Sequence, residues 1–288
     1  MKTTENRVFL TECPRDAMQG IHEWIPTELK ASYLNALLTC GFDRLDFGSF
    51  VSPKAIPQLR DTKEVLDLMN AKGATQLLAI VANERGAEEA VQYDVIDFLG
   101  YPFSISETFQ QRNTNASIED SLKRVEFIQN QCIKSGKSLV LYLSMGFGNP
   151  YGDPWNADLV IDWSRRLHET FDVKELALSD TIGAANPALV TSLFSTIIPA
   201  LPEVKFGAHL HTVREGAMAL TKAAYESGCR YFDGAIKGFG GCPMATDDLT
   251  GNMPTEIMLD WFNKNGIETG INSIAFSDAM VKSTSVFH

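Results

Sequence analysis

The chain has 288 residues, 44% hydrophobic and 21% charged; that length suits an α/β barrel or a large sandwich as one folding unit, and the composition shows no bias toward disorder. Its 25 basic and 36 acidic side chains give a formal net charge of -11, which argues against a nucleic-acid partner and requires any anionic substrate to find a local basic pocket. Five scattered cysteines without a CxxC pair argue against a disulfide framework or a zinc knuckle.

A reduced cytoplasm is the expected home. The polar stretch from Met1 to Arg7 has no export signature, and no apolar run approaches the ~18–20 residues that span a bilayer, so neither export nor membrane insertion is expected.

In chain order, β-branched or aliphatic runs predict strands at 8–12, 44–47, 76–81, 95–99, 138–143, 175–179, 205–210 and 231–235. Between them, apolar residues at three-to-four spacing predict helices, among them 29–39, 118–135 and 189–201. Gly41, Gly73, Gly136 and Gly228 each stand where a helix should stop before the next strand.

Eight such units can close into a barrel or spread as a doubly wound sheet. Equal repeats favour closure, and no GxGxxG or GxxxxGK[ST] turn follows any strand. The expected fold is therefore a single-domain (β/α)8 TIM barrel over 1–288, with a short C-terminal helical extension whose apolar stretch 275–286 packs on the barrel or on a partner.

Barrel chemistry is expected at the carboxyl ends of the strands. The first strand runs into Cys13-Pro14-Arg15-Asp16, either a surface ion pair or a functional cation and anion. The seventh ends in His209-Leu210-His211; residues two apart on a strand share a face, so both imidazoles can reach one ion.

Two imidazoles and an oxygen donor suit Mg²⁺ or Mn²⁺, with Co²⁺ and Zn²⁺ as further options. Asn252 can cap the helical run that follows it or lend its carbonyl oxygen to that ion. After the eighth strand, Cys242 sits in the glycine-rich loop 238–243, either incidentally or as a group that swings over the mouth. Asp46 and Asp180 add carboxylates at other strand ends.

Taken together, Pro14-Arg15-Asp16-Ala17-Met18-Gln19, the stretch 49–54, Asp180-Thr181-Ile182-Gly183, His209-Leu210-His211 and Gly240-Gly241-Cys242-Pro243 occur in the order of the 3-hydroxy-3-methylglutaryl-CoA lyase family, which this chain resembles from the first strand to about Gly270. The resemblance implies a divalent cation held by Asp16, His209, His211 and Asn252. It implies that Arg15 steadies charge on a thioester oxygen, that Asp16 or a ligand histidine takes the hydroxyl proton, and that Cys242 protonates the departing enolate or excludes water.

Gln19, Asp46, Asp180 and Lys237 then fall near the substrate, Glu12 orients Arg15, and Lys54 and Lys237 are candidates for the phosphates of CoA. The implied reaction splits 3-hydroxy-3-methylglutaryl-CoA, or a close 3-hydroxyacyl-CoA, into acetyl-CoA and acetoacetate, in a protein expected to be a homodimer.

The chain departs from the family pattern in carrying Ala17-Met18 for Gly-Leu, Asp46 for glutamate, Leu210 for cysteine, Thr212 for aspartate, Asn149 for a loop cysteine and Lys237 for a small residue. An aldolase or condensing synthase acting on a 2-oxo acid, and a catalytically silent metal-binding barrel, are the competing readings.

Overall fold

The computed structural model describes residues 6–241 and 250–287. Eight parallel strands close in chain order into a barrel: β1 (Phe9–Glu12), β2 (Arg44–Ser49), β3 (Gln76–Ile80), β4 (Ile96–Ser104), β5 (Ser138–Ser144), β6 (Glu175–Asp180), β7 (Lys205–Leu210) and β8 (Tyr231–Gly234), with β8 pairing back onto β1. The predicted barrel is the observed one, and every predicted strand is present near its expected bounds, except that β4 runs five residues past its expected end.

The two-residue period of the strands sorts their side chains. Leu78 and Ile80 on β3, Phe98 on β4, Val140 and Tyr142 on β5 and Ala177 on β6 fill the barrel interior as a cluster of their own. Their neighbours Leu77, Ala79, Leu99, Leu141 and Leu176 point outward into the continuous core beneath the helices. Asp46 and Gly48 pair with successive residues of β3, so the ladder shifts there and Phe47 is skipped, a bulge of the kind that re-aims side chains near a site.

Short polar residues cap several of the helices. Ser117 accepts from the Asp120 amide at the head of helix Ile118–Ser135, and Gly136 ends that helix at φ 68°, as its position before the fifth strand predicts. This helix buries Val125, Ile128 and Cys132 against the barrel, and truncating Ile128 to alanine should cost about 2–5 kcal/mol.

Two helices matter most for the site. The short α1 (Pro14–Gln19) leaves the end of β1 with proline at its first position, and α2 (Thr27–Leu38) follows. The C-terminal helix Ser273–Val286 packs on the barrel rather than projecting, with Phe276 edge-on to Phe42, while Phe287 beyond it lies edge-on to Tyr33. Cys13, Cys40, Cys132 and Cys229 are buried free thiols. Among the described residues no helix is long and apolar enough to cross a membrane.

Candidate active site

Pro14 turns the chain out of β1, so Arg15 and Asp16 enter the first turn of α1 over the carboxyl ends of the strands, and both are buried. The Arg15 guanidinium grips Asp46 of β2: Nε donates to Oδ1 at 3.2 Å and to Oδ2 at 2.9 Å, and Nη2 donates to Oδ2 at 2.6 Å. This fork is fixed in plane, as guanidinium–carboxylate pairs are. Its Nη1 reaches Asp16 and Gln19, each at 2.9 Å, and the Gln19 amide closes the triangle onto Asp16 at 2.6 Å. Aspartate is thus long enough at position 46 to hold the arginine.

His209 and His211 alternate with Leu210 at the end of β7 and turn toward Asp16. Their rings lie 5.4 Å apart, and His211 Nε2 is 3.8 Å from Asp16 Oδ2. Asn252 pairs with His211 in an isolated antiparallel bridge, and its Nδ2 donates to Asp16 Oδ2 at 2.7 Å and to the Phe239 carbonyl at 3.0 Å. Pro254, not Asn252, stands at the cap of the following helix. One ligand atom each from Asp16, His209 and His211 lies within 4.8 Å of the others.

Burial opposes charge on Asp16, but the Arg15 guanidinium, followed by His211 and His209, holds its carboxyl down at about 2. Burial pushes the His211 imidazole down to about 4. Burial also disfavours the charged form of His209, yet the hydrogen bond and charge of Asp233 raise it. Asp46 is pushed up to about 6 by burial, against the pull of Arg15.

A cation fits this set. Both ring nitrogens of His211 are buried without a hydrogen bond, a costly state for an imidazole unless a ligand completes it. Beside it lie an ionised carboxylate and an amide whose half-turn would present its oxygen in place of its nitrogen. Two oxygen and two imidazole donors suit Mg²⁺, Mn²⁺, Co²⁺ or Zn²⁺.

Asp233 of β8 was not singled out from the sequence. Its Oδ2 lies 3.1 Å from His209 Nδ1, fixing that ring and leaving Nε2 for the cluster. The available signal was an acidic residue inside an otherwise apolar strand. A small cavity of about 100 Å³ lies beside Arg15, Asp16, Gln19, His209 and His211, walled by Tyr142, Ser144, Ser179 and Thr181. Larger cavities lie elsewhere, but without this convergence of groups.

Other expected residues are engaged differently. Glu12 does not touch Arg15; its two oxygens accept from the Ile236 amide at 2.7 Å and the Thr255 hydroxyl at 2.6 Å, because its side chain turns toward β8. Both Asp180 oxygens are taken by the amides of Ala184 and Ala185, which folds the loop after β6. Lys237 sends its ammonium to Thr284 on the C-terminal helix, 2.7 Å away. Lys54 is exposed on the loop after β2. Asn149 braces its own loop, accepting from the amides of Tyr151 and Asp153. Cys242 lies outside the described residues.

Reactive groups gathered over the carboxyl ends of eight parallel strands are the mark of a (β/α)8 enzyme. The HMGL-like family model matches residues 8–281. The chain belongs to the HMGL-like family and is an enzyme of the carbon–carbon lyase kind, as its ordered motifs imply. It is 35% identical over 258 residues to the hydroxymethylglutaryl-CoA lyase YngG of Bacillus subtilis, covering 90% of this chain and 85% of that one. It is 30% identical over 273 residues to the mitochondrial hydroxymethylglutaryl-CoA lyase of Mus musculus, covering 94% and 83%. Among solved structures it superposes with a TM-score of 0.90 on an HMG-CoA lyase of Acinetobacter baumannii in complex with coenzyme A and 3-methylmalate, at 29% identity over 99% of this chain and 93% of that one.

Proposed function

We propose that this protein cleaves 3-hydroxy-3-methylglutaryl-CoA, or a close 3-hydroxyacyl-CoA, into acetyl-CoA and acetoacetate with the help of one divalent cation, Mg²⁺ or Mn²⁺ before Co²⁺ or Zn²⁺. The observation that carries this reading is the convergence of Arg15 and Asp16 from α1 with His209 and His211 from β7 and with Asn252. Asp16, His209, His211 and Asn252 would hold the cation, which when bound acidifies a coordinated hydroxyl and stabilises an alkoxide.

The residues of the chain divide the remaining work. Arg15, pinned in a buried fork by Asp46, offers fixed donors to the thioester oxygen as negative charge gathers there. Asp16 or a ligand histidine accepts the 3-hydroxyl proton; the carbon–carbon bond then breaks toward acetoacetate and leaves the acetyl-CoA enolate. Gln19 keeps Arg15 and Asp16 in register. Protonation of the enolate carbon falls to Cys242 on the resemblance alone. A cytoplasmic homodimer completes the reading, supported by the reduced-cysteine pattern and the family resemblance.

Incubation of the purified protein with 3-hydroxy-3-methylglutaryl-CoA and Mg²⁺ or Mn²⁺ tests the proposal. Release of acetyl-CoA and acetoacetate, abolished by chelator and restored by metal, is expected. Failure to release acetyl-CoA under any of these metals rejects it.

A further inference from the structure

His209 faces two clusters. One is the set with Asp16 and His211; the other gathers on the Nδ1 side, where Asp233 stands, and consists of Cys13, His209 and Asp233, all buried, which offer one ligand atom each within 4.8 Å of one another. The two sets differ in chemistry. The first pairs imidazole with a hard carboxylate, whereas the second adds a sulfur donor, giving the S, N, O combination that selects thiophilic ions such as Zn²⁺ or Cd²⁺ over Mg²⁺.

We propose that Cys13, His209 and Asp233 form a second cation site for thiophilic divalent ions, exclusive of the first because the two share His209. The inference rests on this geometry and is independent of which thioester the protein cleaves.

Three observations support it. The Cys13 thiol has little else to do: its hydrogen bond to the Thr11 carbonyl is a weak 3.9 Å contact. Asp233 Oδ2 already stands 3.1 Å from His209 Nδ1, so two of the three donors are aligned. One of the three donors also faces a cavity. A cavity of about 410 Å³ opens at the amino-terminal mouth of the barrel, rimmed by Arg44, Glu175 and Lys205, and Asp233 forms part of its wall two residues farther along the strands.

Exclusivity follows from the proton count. A neutral imidazole has one lone pair, so it ligates through one nitrogen while the other keeps its hydrogen. With the first site filled, Nδ1 carries the proton and donates to Asp233. With the second filled, Nδ1 ligates the ion, the proton sits on Nε2, and the thiol proton of Cys13 leaves to solvent. A thiophilic ion held with Cys13 and Asp233 therefore removes a ligand from the set with Asp16 and His211.

The test is a Cd²⁺ titration of the folded, metal-free protein, followed by the ultraviolet thiolate-to-cadmium charge-transfer band and repeated in Mn²⁺. Cys242→Ser is the working background, since a thiol in the loop after β8 could also meet cadmium. The band should appear in Cys242→Ser, vanish in Cys13→Ser/Cys242→Ser, and weaken about tenfold or more in apparent affinity in Asp233→Asn/Cys242→Ser. Mn²⁺ should raise the Cd²⁺ midpoint several-fold. A band unaffected by Cys13→Ser, or absent once Cys242 alone is replaced, overturns the site; a midpoint indifferent to Mn²⁺ overturns the shared histidine. Circular dichroism of each variant confirms that the barrel is intact.

Discussion

The two mouths of this barrel are built from similar residue types and use them in opposite ways. At the amino-terminal mouth, Glu175 of β6 lies between Arg44 of β2 at 2.8 Å and Lys205 of β7 at 3.0 Å, and Arg44 also stacks over Phe98 at 3.7 Å. At the carboxyl mouth, Asp16 and Arg15 are bound to each other, but both nitrogens of His211 are left without a hydrogen bond. At the first mouth three charges are paired across strands, though Arg44 Nε lacks a hydrogen bond, and they hold those strands together. At the second a whole imidazole is left unbonded beside a carboxylate, and the desolvation of that ring is the cost of a site that awaits a ligand.

If this contrast is right, substitutions at the two ends must separate activity from stability. The largest effect is expected at Arg15. Arg15→Gln keeps a hydrogen bond but loses the charge, and should lower kcat by about 10²–10³-fold in a steady-state assay of acetyl-CoA release. A loss below about tenfold would mean that the guanidinium only props up Asp46.

Next comes His211→Ala. The cation should stabilise the wild-type protein by about 2.7 kcal/mol at a free concentration of 100 times its Kd, a shift visible in thermal melts with and without Mn²⁺. In His211→Ala that shift should vanish, while the metal-free melting temperature moves little, because relief of the poorly bonded buried ring nitrogens offsets the small cavity left behind. Arg44→Ala should do the reverse: it strands Glu175 with Lys205 as its remaining partner and costs about 1–3 kcal/mol in urea unfolding, with kcat and KM unchanged. Equal effects of the two variants on metal response and on stability would dissolve the distinction between the mouths.

How far this arrangement was legible in the sequence depends on the range of the interactions. Strand positions follow from local pattern, so 205–210 and helix 118–135 were found to the residue. The His209/His211 pair was readable because a two-residue period is local as well. What the sequence did not show is which distant side chain each buried group meets. Glu12 and Arg15 are three residues apart, yet one turns to β8 and the other to β2, a choice set by closure of the barrel. Asp233 was missed for the same reason: its value lies in facing His209 across a β7–β8 ladder that exists only once the barrel closes. Asp180 and Lys237 were placed by family position, which does not reveal that backbone amides and Thr284 occupy them.

The last prediction asks whether the reactive mouth also carries a purely structural charge. Glu12 is fully buried there and, unlike His211, is matched on both oxygens. Burial pushes its carboxyl up from 4.5 to about 8, against the lowering pull of the Thr255 and Ile236 donors. Between those values the folded chain holds a proton that the unfolded chain has released, so stability falls as pH rises across that window and levels off above it. Glu12→Gln keeps an oxygen for the Ile236 amide and cannot ionise, so urea unfolding at pH 5 and at pH 8 should show a smaller loss in the variant than in wild type. Parallel losses in the two proteins would show that Glu12 stays ionised throughout, and that the carboxyl mouth tolerates a buried charge for structure as well as for chemistry.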